Sequence, residues 1–207
     1  MTEGSISRSR LILASRSPRR ARLLAEAGVV FVQLSPEFSD PLSPVTEGGE
    51  TAAGLAERLA LAKGRSLCAV HPGDDWILAS DTLCVGAGGE VLGTPVGVEE
   101  ARAMLRGFMN CDHQVITGVA LLGPGGEVNQ VFSDAAVVTW GEVGDEVIEA
   151  YLGTDAWRDK AGGYNLFDRQ EAGWPVEVVG DPATVVGLPM RRLLPVLAEL
   201  GFVGGRA

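Results

Sequence analysis

Two hydroxyls and three guanidinium groups crowd into six residues of this chain, Ser15-Arg16-Ser17-Pro18-Arg19-Arg20. An apolar run, Leu11–Ala14, precedes them, and an amphipathic stretch from Pro18 to Ala27 follows. Ser17 reads as a helix N-cap with Pro18 at the first helical position, and Gly28 closes the helix. The start of a helix leaves backbone N–H groups unpaired and carries the positive end of the macrodipole, so anions collect there. Ser15 and Ser17 add hydroxyls, while Arg19 and Arg20 add forked donors suited to phosphate oxygens. A capped surface helix with solvated arginines would have the same sequence, and the residues alone leave the two readings even.

Further residues along the chain carry the right chemistry for the same task. Asp81 ends the apolar run "ILAS" and lies where open α/β sheets gather ligands, so its carboxylate can hold a metal or activate water. The plainer alternative is an aspartate that opens a turn. Asp40, in the Pro-rich stretch Ser35–Glu50, is a candidate second carboxylate for a divalent ion, or simply an exposed loop acid beside Pro41. Lys63 interrupts an apolar helix face and can reach phosphate, although a lysine snorkelling to water would look the same. Lys160 sits in "DKAGGYN", where a flexible turn can clamp a phosphate, and Tyr164 or Phe167 can stack on a base; an ordinary turn is the alternative.

The elements that must position these residues alternate in type. Strands are predicted at Leu11–Ala14, Val29–Leu34, Trp76–Val85, His113–Leu122, Glu127–Trp140 and Val176–Val179. Helices are predicted at Pro18–Ala27, Glu50–Val70, Val98–Phe108, Gly144–Gly153 and Pro189–Leu200, with Pro195 kinking the last or restricting its start. Between Arg158 and Pro175 the chain reads as a Gly-rich loop. "GPGG" between two long apolar runs signals a hairpin. The sum is an α/β chain with a mixed sheet and flanking helices, in one domain over 1–207 whose first ten residues read as a flexible N-terminus.

Composition narrows the partners. Lys plus Arg number 17 against 27 Asp plus Glu, so a net charge of -10 argues against nucleic acid or an anionic membrane as partner. An anionic ligand therefore needs the few cations gathered in one place. Three scattered cysteines without a CxxC pair read as reduced thiols of a cytoplasmic protein, and two histidines exclude a His-rich zinc site. Any metal would be held by oxygens. "GAGGEV" and "GPGGEV" lack dinucleotide-binding glycine spacing and a following helix, and no Walker A sequence occurs.

Taken in order, "LASRSPRR", "ERLALAKG", "ASDT", "HQVITGVAL", "DKAGGY" and "VVGLP" resemble the Maf family of nucleoside triphosphate pyrophosphatases, from about Leu11 to Gly201. The resemblance implies an elongated two-lobed fold, similar to the inosine triphosphatases, with a nucleotide cleft between lobes. It implies metal-dependent hydrolysis with Mg²⁺ or Mn²⁺, giving a nucleoside monophosphate and pyrophosphate, and it suggests a homodimer. Asp81 matches the catalytic carboxylate and Asp40 a second metal ligand, usually glutamate. Ser15, Ser17, Arg19, Arg20, Lys63 and Lys160 match phosphate contacts, and Thr82 a position that influences substrate preference. Two departures stand out. Thr94 replaces the lysine common in the "G-x-P" turn, and Phe167 replaces the glutamine of the branch that prefers thymidine and uridine. A nucleotide-binding regulator with weakened turnover is the competing reading, and a phosphomonoesterase a third.

Overall fold

The computed structural model describes residues 9–38 and 46–203, so Asp40 lies outside the described residues. Strand β1 (Leu11–Ala14) is buried along its whole length, as expected of an apolar run covered on both faces. It pairs in parallel with β2 (Val32–Leu34) on one side and β3 (Trp76–Val85) on the other. β3 also pairs antiparallel with the short β4 (Val91–Leu92) and with β5 (Asp112–Leu122). β5 forms a long hairpin with β6 (Val128–Trp140), which pairs with β7 (Val176–Val179). The result is one mixed seven-stranded sheet in the order β2-β1-β3-β5-β6-β7, with β4 attached to β3.

Helices cover both faces. Helix α1 (Pro18–Glu26) begins at Ser17, whose hydroxyl accepts the Arg20 N–H, and ends before Gly28, whose φ is +72°. Helix α2 (Ala52–Val70) is capped by Thr51 and lies over β3 and β5. Helices α3 (Val98–Gly107) and α4 (Asp145–Leu152) pack on each other. The segment expected to be all loop contains α5 (Leu166–Glu171), capped by Asn165. A second unexpected helix, α6 (Pro182–Val186), precedes α7 (Met190–Glu199), which runs through Pro195. Asp181 accepts from Ala183 N–H at 3.0 Å and Arg191 N–H at 2.9 Å, so one carboxylate caps α6 and holds the first turn of α7.

Alternation along the strands sorts the core. On β3, Leu78 faces α1 and α7 in a cluster with Leu11, Leu13, Leu24 and Leu193, while Ile77 and Ala79 face α2 with Ile12 and Leu67. Toward the far ends of β5 and β6 the filling becomes aromatic, with Phe108, Trp140, Tyr151, Trp157, Tyr164 and Trp174 in one cluster. No helix among the described residues is long and apolar enough to cross a membrane.

Candidate active site

The β1 ladder on β3 ends at Leu13–Leu78, and pairing on that edge resumes with β4 at Cys84. Among the described residues, Ala79 to Leu83 therefore have a strand on only one side, and Asp81 is the middle residue of this interval. Asp81 is 6% exposed, and Lys63 from α2 donates to its Oδ1 at 2.5 Å. Lys63 is itself 8% exposed, and its ammonium lies 5.7 Å from the Phe38 ring centroid. The lysine on the apolar face of α2 is thus not snorkelling to water; it forms a buried ion pair with the aspartate.

Thr82, next along the strand, points to the opposite face. There the Arg20 guanidinium donates to the Ser80 carbonyl at 2.9 Å, to Thr82 Oγ1 at 3.1 Å and to Ser15 Oγ at 3.4 Å. Arg20 thereby pairs a backbone carbonyl in the interrupted stretch of the sheet. Thr82 Oγ1 lies 2.9 Å from Thr117 Oγ1 on β5, and Thr117 donates to the Thr184 carbonyl at 2.7 Å. Ser80 Oγ donates to the Gly187 carbonyl at 3.0 Å. Gly187 has φ +113°, and a Cβ there would come within 2.6 Å of Arg20 Nε. Only glycine gives both that backbone angle and room for the guanidinium.

The two serines of the opening turn act within it. Ser15 is buried and its Oγ accepts the Ser17 N–H at 3.1 Å, while Ser17 Oγ accepts the Arg20 N–H at 3.4 Å. Each hydroxyl still has its own hydrogen to donate. Gln33 holds the turn from outside by donating to the Ser15 carbonyl at 2.8 Å.

Arg19 belongs to a different group. Burial pulls its guanidinium below the usual range, and the carboxylate of Asp168 on α5 pulls the other way. Lys160 is likewise lowered, first by burial and then by the Arg19 charge, with Asp168 opposing. Two half-buried cations that repel each other favour an anion between or beside them. The Lys160 ammonium donates to the Ala156 carbonyl, folded back on its own turn. Arg169 joins from α5, stacked 4.0 Å from the Tyr151 ring centroid and 4.9 Å from that of Trp174. Phe167 on the same helix is 45% exposed.

The candidates thus fall into three groups: Asp81 with Lys63 on one face of β3; Arg20, Ser15 and Thr82 on the other; and Arg19 with Lys160 near α5. Thr117 and Gly187 complete the second group and Arg169 the third. Sequence reasoning missed all three, although "VVGLP" stood out as a motif. By contrast, a concavity of about 350 Å³ between β4 and α3 presents Glu90 and Glu100, the wrong charge for phosphate.

A family model described as Maf-like protein matches residues 10–200. A dTTP/UTP pyrophosphatase of Symbiobacterium thermophilum is 39% identical over 198 residues, covering 94% of this chain and 97% of that protein. One of Koribacter versatilis is 37% identical over 196 residues, covering 93% and 95%. The solved structure of the Staphylococcus aureus Ham1 protein aligns over 66% of this chain and 77% of that one, at 17% identity and a TM-score of 0.42. The matched span runs from just before β1 to the end of α7 and takes in Asp81 and all three groups of site residues, so the chain belongs to the Maf family.

Proposed function

We propose that this chain hydrolyses a nucleoside triphosphate between its α and β phosphorus atoms, releasing the nucleoside monophosphate and pyrophosphate. The observation that carries the proposal is the buried Asp81–Lys63 pair on the interrupted edge of β3, with Arg20 fixed on the other face. The names of the Maf-family relatives point the same way.

The donor set suits a divalent ion that arrives with the nucleotide. Among the described residues no three His, Cys, Asp or Glu side chains cluster as a ready-made cage. A single buried carboxylate is what Mg²⁺ ordinarily uses, since it keeps several waters and takes its other ligands from substrate phosphates. Asp81 would hold the ion, with Asp40 as the candidate second ligand. When bound, Mg²⁺ or Mn²⁺ screens the phosphate charge and lowers the pKa of an attacking water.

The remaining work falls to the chain itself. Asp81 orients the water or takes its proton at a carboxylate oxygen. Lys63 sits within reach of the same reacting atoms and stabilises charge that develops on the phosphates. Arg20 is already immobilised, so its guanidinium contributes without reorganising, which is where electrostatic catalysis is strongest. Arg19 and Lys160 take the outer phosphates, and Ser15 and Ser17 donate hydroxyl hydrogens. Thr82 acts on substrate choice through its bond to Arg20. Phe167 offers an exposed stacking face but no amide. Base preference is therefore where this chain is expected to part from the relatives named for dTTP and UTP.

The test is a panel of canonical and modified triphosphates with Mg²⁺ or Mn²⁺, reading pyrophosphate and orthophosphate separately. Pyrophosphate with monophosphate is the expected product pair, with no strong preference for dTTP or UTP. Phe167→Gln should raise activity on those two relative to the rest. Orthophosphate alone would indicate a phosphomonoesterase, and tight binding without either product a regulatory nucleotide-binding protein.

A further inference from the structure

His113 is 2% exposed, and nothing in the proposed chemistry uses it. It leaves β5 into the aromatic cluster, where its ring stacks on Phe108 with centroids 4.0 Å apart. Its Nε2 lies 2.7 Å from the Tyr164 hydroxyl. Its Nδ1 is buried and has no hydrogen-bond partner among the described residues. Burial pushes the imidazole down to about 4, so it is uncharged at neutral pH. A phenylalanine would fill the same space without the unpartnered Nδ1, but it would leave the buried Tyr164 hydroxyl without this bond. What the histidine supplies beyond volume is the bond to Tyr164.

Tyr164 directly follows the turn that carries Lys160. Gly162 and Gly163 both have positive φ, at +70° and +75°. A Cβ on Gly162 would press on Cys84 Sγ at 3.2 Å and Phe108 Cζ at 3.3 Å, so the turn lies directly on the cluster. Gly162 N–H donates to the Gly93 carbonyl at 3.1 Å, and Tyr151 donates its hydroxyl to the Gly163 carbonyl at 2.9 Å. The backbone just after Lys160 is thus tied down from below, while among the described residues its side chain bonds a carbonyl of its own segment, that of Ala156.

We propose that His113 is a positioning residue, which through its hydrogen bond to Tyr164 fixes the Gly162–Gly163 turn and so the point from which Lys160 reaches the phosphates. The proposal rests on the reading of Lys160 as a phosphate contact. A residue on β5 would then act on substrate binding from beneath the site, without touching substrate.

Amide hydrogen exchange across residues 161–164 and steady-state kinetics, each in His113→Phe and Tyr164→Phe, test this. The turn should exchange roughly tenfold faster while the β5–β6 ladder keeps its protection. Efficiency on the best triphosphate should fall about tenfold, mainly through KM, and should fall no further when either change is added to Lys160→Ala. His113→Gln, which keeps a polar partner for Tyr164, should restore most of the loss. Unchanged exchange in the turn, faster exchange spread evenly over the sheet, or an equal loss in the Lys160→Ala background would each overturn the proposal. Tyr164→Phe removes a single oxygen and keeps the test readable if His113→Phe does not fold. A wild-type chain that hydrolyses no triphosphate would end the proposed function, while the exchange data would still decide whether His113 holds the turn.

Discussion

The chain brings cations to its candidate site on two turns that are built in opposite ways. In the Ser15–Arg20 turn the side chain is fixed: the Arg20 guanidinium bonds a strand carbonyl and two hydroxyls, and Gly187 leaves it room. In the Lys160–Gly163 turn the backbone is fixed by Tyr151, the Gly93 carbonyl and the aromatic floor, and the ammonium folds back on its own segment. Arginine's planar fork loses little when several bonds hold it, whereas lysine's four-carbon stem can swing from one acceptor to another. On the proposed function, the first turn would serve charge that develops during reaction, and the second would capture charge already present on the substrate.

Five outcomes would break or sharpen that contrast. Asp81 lies within the strand interval that Arg20 braces, and its role has to hold first. Asp81→Asn keeps the shape and removes the charge, so turnover should fall at least about a hundredfold while thermal unfolding stays cooperative. An active Asp81→Asn enzyme would mean that neither turn serves this carboxylate.

Arg20→Ala should lower kcat/KM by roughly thirtyfold, about 2 kcal/mol, with most of the loss in kcat. Lys160→Ala should cost about tenfold, with most of it in KM. Single-turnover and steady-state assays separate the two, and a reversed pattern would sink the division of labour between the turns.

The floor of the Lys160 turn should also give itself away in pH-dependent stability. Folded His113 is held down to about 4 by burial, with Asp112 opposing, while Tyr164 above it is raised well beyond the usual tyrosine range and Cys84 to about 12. The unfolded chain therefore binds the extra proton below about pH 6.5, so stability rises with pH and is lost as pH falls toward 4. Relative to His113→Phe, the wild type should lose about 2 kcal/mol between pH 7 and pH 5 in urea unfolding. A parallel pH profile in the two proteins would show that the imidazole is not buried as described.

The smallest expected effect concerns the rim of the same turn. Thr94 is exposed, one residue from the carbonyl that holds Gly162. Thr94→Lys should raise kcat/KM by up to about tenfold, because a charge-assisted contact is worth about twice a neutral one. No change would mean that the ligand's phosphates do not reach this turn, or that Arg16 already supplies the charge.

Much of this was legible in the sequence, for identifiable reasons. β3 and β7 fall where the apolar runs put them, and Ser17, Pro18 and Gly28 bound α1 as helix-end chemistry predicts. Helices α5 and α6 were missed because six and five residues are too short to show a period, and their signals are confined to their ends: the caps Asn165 and Asp181, with Pro182 and Gly187 bounding α6. At the site, residue types were readable but their connections were not. Thr117 reaches Thr82 across the sheet, and Gly187 reaches Arg20 from the far end of the chain, so local sequence holds no trace of either contact. The split of Asp81 and Thr82 onto opposite faces follows from strand alternation. Which helix waits on each face needed the fold.

The interruption along β3 has one more consequence, for solubility. An unpaired strand edge is ordinarily an invitation to a second chain, and proteins blunt it with charge, irregularity or brevity. Among the described residues the interval spans five residues, Ala79 to Leu83, about 16 Å at the usual rise per residue, and is closed by β1 at one end and β4 at the other. The Arg20 guanidinium already takes the Ser80 carbonyl. A foreign strand would find too short a register and a positive charge in its path, whereas a small anion needs neither length nor register. The same interruption can therefore stay open to a nucleotide without becoming a seed for aggregation.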